Sequence, residues 1–188
     1  MKILITDAHI AACKKGDRRA QETVYRHYAG RMLALCRRYT NNTAEAEDIL
    51  QDAFVKVFTK IHLYTGEGSF EGWMRRIMVN TALTAYREKQ KQVMTVDIDD
   101  CLYALNSYTD YQTDDTAYLY DSLNKLPLHH KVAFNLFAIE GYSHQEIAEL
   151  TNITVLQSRT HVCRARTALR KSVSLNVRIP LKAMAMTA

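Results

Sequence analysis

The sequence predicts an all-α protein with two small helical domains that are joined by an irregular acidic linker. Only six Gly and two Pro occur in 188 residues, whereas turn-rich β folds need many more of both. Apolar residues recur at spacings of three and four over most of the chain, as on one face of a helix. This periodicity is lost over residues 93–115, which predicts domains at 1–92 and 116–172 and a C-terminal tail at 173–188.

The first segment carries three predicted helices. Apolar residues follow helical spacing over residues 17–39 and again after Asn42, which fits a capping box with Glu45. A polar loop with two glycines, residues 64–69, precedes a third helix that is expected to reach about Lys91. Together these helices would form a compact domain.

After the first segment, the sequence predicts an irregular linker and then a return to helices. Residues 93–115 are rich in Asp, Asn, Thr and Ser, a composition typical of irregular structure. Helices are expected to resume over residues 116–126, and Pro127 opens another helix because its fixed φ angle suits a first turn.

Two capping boxes lie close together in the second segment. Ser143 and Glu146 fit a box for a short helix, and Thr154 and Gln157 fit a box for a helix that reaches about Lys171. A helix, a short turn and a second helix make the helix-turn-helix arrangement. The chain after residue 176 shows no clear pattern, and we expect it to be loose.

Charge is distributed unevenly along the chain, although the net charge is only +5. Residues 1–92 hold 16 Lys and Arg against 10 Asp and Glu, residues 93–126 hold 1 against 7, and residues 127–188 hold 8 against 3. Two basic segments around an acidic connector suggest that each basic segment meets a polyanion. The alternative is two solvated domains with uneven surfaces.

Several classes of function are disfavoured. The sequence has no Gly-rich phosphate loop, no G-x-S-x-G and no HExxH, so we do not expect an enzyme. We expect no metal and no cofactor, because the four cysteines are scattered and His129 and His130 are adjacent rather than one turn apart. No apolar run approaches the roughly 20 residues of a membrane span, and no secretory signal opens the chain. The expected location is the cytoplasm.

Residues 154–171 have the composition of a helix that enters the major groove of DNA. Such a helix needs polar and basic side chains on its outer side, and no carboxylate side chain follows Glu149. The residues expected to face outward are Gln157, Ser158, Arg159, Thr160, His161, Arg164, Arg166, Arg170 and Lys171. Those expected to pack inward are Val155, Val162, Ala165 and Leu169. The alternative is an ordinary exposed helix that happens to be basic.

Residues 70–91 suit unpaired bases rather than a closed duplex. Aromatic side chains alternate here with cations and an amide: Phe70, Trp73 and Tyr86 with Arg75, Arg76, Asn80, Arg87, Lys89 and Lys91. The flexible loop before this helix could accommodate a flipped base. The alternative for Trp73 is an ordinary core residue.

The second predicted helix has an acidic and amide edge opposite its apolar stripe, made by Glu45, Glu47, Asp48, Gln51 and Asp52. In a basic domain such an edge could dock a protein rather than DNA. It could equally be a solvated face, and the spacing does not decide between the two.

Four segments in this order resemble bacterial sigma factors of the extracytoplasmic-function (ECF) group. They are residues 44–54, AEAEDILQDAF, residues 70–80, FEGWMRRIMVN, the pair Leu126-Pro127, and residues 141–150, GYSHQEIAEL. The resemblance extends over roughly residues 10–172. It implies a two-domain subunit that recruits core RNA polymerase to specific promoters and promotes DNA melting for transcription initiation.

The resemblance also implies roles for individual residues. Residues that would bind polymerase are Asp48, Gln51, Asp52 and Phe54. Residues placed at the minus-ten element, where the strands separate, are Tyr64, Ser69, Phe70, Trp73, Arg76, Asn80 and Arg87. Asn80 would contact a base, Arg76 and Arg87 would contact phosphates, and Trp73 would support the fold. Residues placed at the duplex minus-thirty-five element are Gln157, Arg159, Thr160, Cys163 and Arg164.

The expected partners are core RNA polymerase, promoter DNA in duplex and single-stranded form, and an anti-sigma factor, with no direct insertion into a membrane. The chain departs from the family pattern at Leu156-Gln157, where Gly-Thr is usual, and at Cys163, where His, Phe or Ser is commoner. Gln157 could still cap the helix through the box with Thr154.

Two other functions remain open from the residues alone. A stand-alone helix-turn-helix transcriptional regulator would bind a palindromic operator as a dimer without polymerase. An interaction module with no role on nucleic acid would show only weak, salt-sensitive DNA binding. The occurrence of residues 47–54 and 73–80 in one chain favours the sigma factor.

Overall fold

Helices form the regular structure of both ranges, residues 5–94 and 122–176, that this computed structural model describes. The chain forms two compact units that divide between Val96 and Asp97. The helices of the first unit are α1 (Asp7–Lys14), α2 (Arg18–Cys36), α3 (Thr43–Lys60), a short 3₁₀ turn (Ile61–Leu63) and α4 (Phe70–Met94). Those of the second are α5 (Leu128–Ala138), α6 (His144–Thr151) and α7 (Val155–Asn176), preceded by a helical stretch at residues 122–124. The described residues confirm the predicted all-α class.

The core of the first unit lies between α2, α3 and α4, which all pack against one another. Each helix contributes one apolar stripe, and residues such as Met32, Val57, Met74 and Leu83 are at most 1% exposed. Full burial of a large apolar side chain stabilises the fold by about 1.5 to 3 kcal/mol. These stripes therefore determine which side of each helix faces outward.

Helix α1 was not predicted. It has only eight residues, too few for a periodic pattern to stand out, yet it buries Ile10 and Cys13 against its neighbours. Burial also raises the pKa of the Cys13 thiol, and the nearby Asp17 carboxylate adds to this effect. Helix α1 packs on α2 and on the 3₁₀ turn that leads to the loop at residues 64–69.

The predicted capping box at the start of α3 is wrong in one half. Asn42 caps the helix, since its side chain accepts a hydrogen bond from the Ala44 backbone N–H. The Glu45 carboxylate does not return to Asn42. It accepts hydrogen bonds from the Thr40 hydroxyl and from Lys89 Nζ, at 2.6 Å, on α4. Lys89 on α4 thus replaces the predicted backbone partner at Asn42, and a local sequence pattern does not reveal a partner on another helix.

The second unit is built around the packing of α5 on α7. Both predicted capping boxes are present: Ser143 and Glu146 exchange hydrogen bonds at the start of α6, and Thr154 and Gln157 do so at the start of α7. Lys131 lies in the core, and its Nζ donates to Asn124 Oδ1 at 2.9 Å. Burial lowers the pKa of Lys131 to about 8.

Two helices are longer than expected. Helix α4 continues to Met94, past Lys91 and into the predicted linker, and α7 continues to Asn176, past Lys171. No Gly or Pro interrupts either extension, so nothing in the backbone ends the helix earlier. The rest of the linker, most of the helix expected at 116–126 and the tail after residue 176 lie outside the described residues. Within the described ranges, no helix is both long enough and apolar enough to cross a bilayer.

The ion pair between Glu45 and Lys89 predicts a pH-dependent contribution to stability. Burial alone would raise the pKa of Glu45, but hydrogen bonds from Lys89 and Thr40 outweigh it and lower the pKa. A carboxylate with a lowered pKa stabilises the folded state at neutral pH, and this stabilisation is lost as the pH falls through its folded pKa. We expect Glu45→Gln to cost less than about 1 kcal/mol at pH 7, because the pair is partly exposed.

The cost of Glu45→Gln should shrink as the pH falls below about 4.5, the ordinary pKa of the group. Urea unfolding followed by the fluorescence of Trp73, the single tryptophan, reports on the first unit. Glu22→Gln is the matched control because Glu22 pairs along its own helix, with Arg26, and not across two helices among the described residues. A cost that does not change with pH would contradict the role given to the Glu45 carboxylate.

Candidate nucleic-acid interfaces

A stripe of predicted site residues runs along one side of α4. At 100° per residue, Trp73, Arg76, Asn80 and Arg87 fall within about 60° of one another and span about 21 Å of the helix. Arg76 and Asn80 are exposed, Trp73 is half-buried, and all four belong to one continuous helix. The structure therefore brings these residues together on a single surface of the first unit, where an aromatic edge, a cation, an amide and a second cation follow one another along the helix.

Hydrogen bonds and two glycines define the conformation of the loop at residues 64–69, which directly precedes α4. The Tyr64 hydroxyl donates to the Gly68 carbonyl at 2.8 Å, and Lys14 Nζ donates to the Tyr64 carbonyl at 2.6 Å. Gly66 and Gly68 have φ angles of +92° and +75°, which side chains other than Gly rarely adopt. Ser69 ends the loop, and its hydroxyl accepts a hydrogen bond from the Gly72 N–H at 3.0 Å.

Aromatic rings form the base of the loop. The rings of Tyr64 and Phe70 lie 5.2 Å apart, and Phe70 stacks on Trp73 at 5.7 Å. Tyr64 and Phe70 are 9% and 6% exposed, so they are not free stacking platforms for bases. We correct the prediction for these two residues: they are packed because the loop needs an apolar base. Trp73 shares this packing, with its ring centroid 5.7 Å from those of Tyr64 and Phe70.

Arg87 is oriented by its own helix. Its Nε donates to the Leu83 carbonyl at 3.3 Å, and one terminal nitrogen donates to the Thr84 hydroxyl at 3.4 Å. Both bonds are long and leave donors of the guanidinium for another partner. Arg87 is half-buried, and Arg76 is more exposed than Arg87 on the same side of α4.

The acidic edge of α3 is an exposed face. Asp48, Gln51 and Asp52 are all exposed and lie within about 100° around the helix axis. Val55 lies on the same face and is 65% exposed, and residue-by-residue reading of the motif missed it. Phe54 is only 3% exposed and makes an edge contact with Tyr25 at 4.8 Å. Direct contact of Phe54 with a partner is corrected to packing beneath the face.

The outer face of α7 gathers most of the residues predicted for duplex DNA. Arg159, Cys163 and Arg164 are exposed, and Thr160 lies between them with its hydroxyl donating to the Leu156 carbonyl at 2.9 Å. With 100° per residue these four share one side of the helix with Leu156, which is 73% exposed. Leu156 was treated only as a departure from the family pattern. Its position at the centre of this face could have been found from the helical period.

Gln157 lies at the edge of this face and serves the fold. The side-chain oxygen of Gln157 accepts a hydrogen bond from the Thr154 backbone N–H at 2.8 Å, and the backbone N–H of Gln157 donates to the Thr154 hydroxyl at 3.1 Å. Capping uses the acceptor of the amide and leaves its two N–H donors for other partners.

Three predictions for α7 were wrong or incomplete. Val155, expected in the core, is 38% exposed because it lies at the helix start, whereas Ser158, expected outside, is fully buried. The Ser158 hydroxyl lies 3.1 Å from His144 Nδ1 on α6 and is paired there. The Arg166 guanidinium lies over the Phe137 ring at 5.1 Å, so Arg166 is partly engaged within the second unit.

A histidine cluster in the second unit was also missed. The sequence showed only the adjacent pair His129 and His130, but α7 brings His161 against both. Burial lowers the pKa of His130 to about 4, with His129, His161 and Arg164 adding to the effect. Burial is also the main cause that lowers the pKa values of His129 and His161. All three imidazoles are therefore neutral near pH 7.

The hydrogen bond from Tyr64 to Gly68 predicts a measurable effect on the loop. Tyr64→Phe removes the hydroxyl and with it this part-buried hydrogen bond to the Gly68 carbonyl, so we expect a loss of about 0.5 to 1.5 kcal/mol in the free energy of unfolding. Urea unfolding monitored by Trp73 fluorescence measures it. Tyr25→Phe is the control, since the Tyr25 ring is partly exposed, and a change there should stay within about 0.5 kcal/mol. Equal losses in both variants would contradict the role of the loop bond.

Comparison with known families assigns each of the two units to a region of the sigma-70 family. The model of sigma-70 region 2 matches residues 24–92, and the model of sigma-70 region 4 matches residues 116–169. Together the two matches cover about two-thirds of the chain. The first contains α3, the loop and most of α4, and the second contains α5, α6 and most of α7.

Individual relatives agree with this assignment over nearly their whole length. The chain is 27% identical to the ECF RNA polymerase sigma-E factor of Haemophilus influenzae, over 90% of this chain and 96% of the relative. It is 26% identical to the RNA polymerase sigma-H factor of Pseudomonas aeruginosa, over 85% and 89% of the two chains. It is 27% identical to the ECF sigma factor SigW of Bacillus subtilis, over 87% and 94%.

A solved structure shares the fold. It is the sigma factor RpoE of Bartonella quintana, described in complex with the anti-sigma factor NepR, with a TM-score of 0.53, 19% identity, and coverage of 82% of this chain and 97% of that one. The region 2 and region 4 matches, together with the full-length relatives, identify the function: the chain belongs to the sigma-70 family, as an RNA polymerase sigma factor of the ECF group.

Proposed function

We propose that this sigma factor binds core RNA polymerase through the exposed face of α3, captures unpaired bases of the minus-ten element with the loop and α4, and reads the minus-thirty-five duplex with α7. The observation that carries this division is that the two units present different surfaces. One combines a shaped loop with a cation and an amide, and the other presents a helix face with arginines and no carboxylate.

The loop at residues 64–69 and the stripe on α4 suit single-stranded DNA. Asn80 offers both a donor and an acceptor to a base edge, and Arg76 and Arg87 offer cations for phosphates on either side of it. The buried rings of Tyr64 and Phe70 pack together at the base of the loop and support it. A preformed loop lowers the ordering cost of capturing a base that has left the stack.

The outer face of α7 suits the major groove. Arg159 and Arg164 can reach phosphates or guanine edges, and the two free N–H donors of Gln157 can reach a base acceptor. Cys163 and Thr160 lie between them, and Leu156 adds an apolar contact of the kind that thymine methyl groups accept. The capping box at Thr154 holds the N-terminal turn that would approach the DNA.

The face of α3 suits a protein partner. Asp48 and Asp52 supply negative charge, Gln51 supplies an amide, and the exposed Val55 supplies apolar area between them. Acidic groups on an otherwise basic unit would repel DNA and attract a basic protein surface. The packed Phe54 beneath this face keeps the helix in place.

We infer a role without covalent chemistry. Contacts to polymerase and to duplex DNA would supply the free energy that holds the separated strands apart. We place this activity in the cytoplasm, together with RNA polymerase and DNA. An anti-sigma factor is the expected regulator, in keeping with the complex reported for the Bartonella quintana relative.

Binding to core RNA polymerase is the first test. The variant Asp48→Arg, Gln51→Ala, Asp52→Arg reverses the charge of the α3 face without touching the core. We expect the wild-type chain to co-elute with core polymerase in size-exclusion chromatography and the variant to lose co-elution, a weakening of at least about 2 kcal/mol.

The matched control is Glu22→Arg, Glu88→Arg, which makes the same two charge reversals at exposed positions on α2 and α4, away from the α3 face. It should co-elute like the wild type. Loss of binding in the control as well would show a general charge effect and would contradict the proposed surface. No binding by folded wild-type protein would overturn the proposed function.

Promoter opening is the second test. Asn80→Ala removes the proposed base contact from an exposed position, so it should leave the fold and polymerase binding unchanged and weaken open-complex formation by about 1 to 3 kcal/mol. Permanganate reactivity of thymines in the minus-ten region measures strand opening directly.

Asn80→Ala should be compared with Glu88→Ala, about two turns further along the same helix, at an exposed position that has no proposed DNA contact. If Glu88→Ala impairs opening as strongly as Asn80→Ala, the effect belongs to the helix and not to a base contact. Unchanged opening in Asn80→Ala would remove Asn80 from the minus-ten site.

A further inference from the structure

Three histidine side chains meet where α5 packs on α7. His129 and His130 lie in the first turn of α5, and His161 lies in the second turn of α7. Their ring centroids are 4.3 Å apart for His129 and His130, 4.7 Å for His129 and His161, and 5.2 Å for His130 and His161. One ring nitrogen from each residue lies within 4.8 Å of the other two.

Two nitrogens in this cluster are buried without a partner. Among the residues that the structure describes, no hydrogen-bonding group reaches His130 Nε2 or His161 Nδ1. A buried polar atom that lacks a partner costs free energy, so such atoms are rare in folded proteins and call for an explanation. A ligand bound among the three rings would supply the missing interaction.

We propose that His129, His130 and His161 form a binding site for one transition-metal ion, with Zn²⁺ as the best-suited ion. Imidazole nitrogen is a preferred ligand of Zn²⁺, and three protein ligands plus one water complete a tetrahedral site. A tetrahedral ion with Zn–N distances of about 2.0 to 2.1 Å places its nitrogens about 3.4 Å apart. Small ring rotations bring nitrogens that lie within 4.8 Å to this spacing.

The charges around the cluster decide which ions it can bind. The three ligands are uncharged, and Arg164 lies one turn beyond His161 on α7. Hard cations such as Mg²⁺ and Ca²⁺ need carboxylate and carbonyl oxygens, which these three side chains do not offer. Zn²⁺, Ni²⁺ and Cu²⁺ bind neutral imidazole, and the exposed Arg164 side chain can turn towards solvent to reduce repulsion.

Metal binding would join α5 to α7. Because the three ligands come from two helices, the ion would bind the folded second unit far better than the unfolded chain and so stabilise it. It would also fix the rotation of α7, whose opposite side carries Leu156 and Cys163. This proposal does not depend on the proposed DNA contacts.

The test uses the full chain, purified without a polyhistidine tag and stripped with a chelator. Calorimetric titration with ZnSO₄ should show one site per chain, and saturating Zn²⁺ should raise the midpoint of thermal unfolding followed by circular dichroism. His129→Gln and His161→Gln should each weaken Zn²⁺ binding by at least about tenfold. His62→Gln, an exposed histidine of the first unit, should bind Zn²⁺ like the wild type.

Three results would overturn the proposal. The first is the absence of Zn²⁺ binding by the folded wild type. The second is equal affinity in wild type and His129→Gln; since His129 is exposed, that variant should fold normally. The third comes from substitution of Co²⁺ for Zn²⁺. A thiolate-to-cobalt charge-transfer band would place the ion on cysteines such as the exposed Cys163, whereas ligand-field bands without it support a histidine site.

Discussion

Burial of one apolar stripe on each helix is the constraint on which all the binding surfaces depend. In α3, the stripe that contains Val57 faces the core, and the helical period then places Asp48, Gln51 and Asp52 outside. In α4, the buried Met74 and Met78 leave Arg76 and Asn80 exposed. Core packing and ligand recognition are thus two sides of the same helices, and a change of register would lose both together.

Cross-helix hydrogen bonds refine this arrangement. Glu45 joins α3 to α4 through Lys89, and Arg31 joins α2 to α4 through Glu71 at 2.8 Å. These pairs are partly exposed and add little stability individually. Together they tie α4, which carries Asn80, to both of its neighbouring helices.

Local signals in the sequence were sufficient for most of the fold. Helices with long stripes and strong caps, such as those capped by Ser143 and Thr154, were predicted because the interactions that start them lie within four residues. The failures share the opposite property. Glu45 finds a partner 44 residues away, Ser158 is buried by α6, and His161 meets histidines of another helix. The candidate DNA and polymerase faces were predicted largely from motif resemblance, whereas burial of Tyr64, Phe70 and Phe54 appears only when three helices pack.

The contact between Lys14 and the Tyr64 carbonyl links the beginning of the chain to a loop 50 residues later. Helix α1 therefore acts as a brace for the loop, although it carries none of the residues expected to touch DNA or polymerase. Sequence variation in α1 would change how firmly the loop is held while every contact residue stayed the same. Two sigma factors with identical recognition residues would in this way differ in how much strand separation they support, and the difference would be encoded in a helix that carries none of the promoter-reading residues.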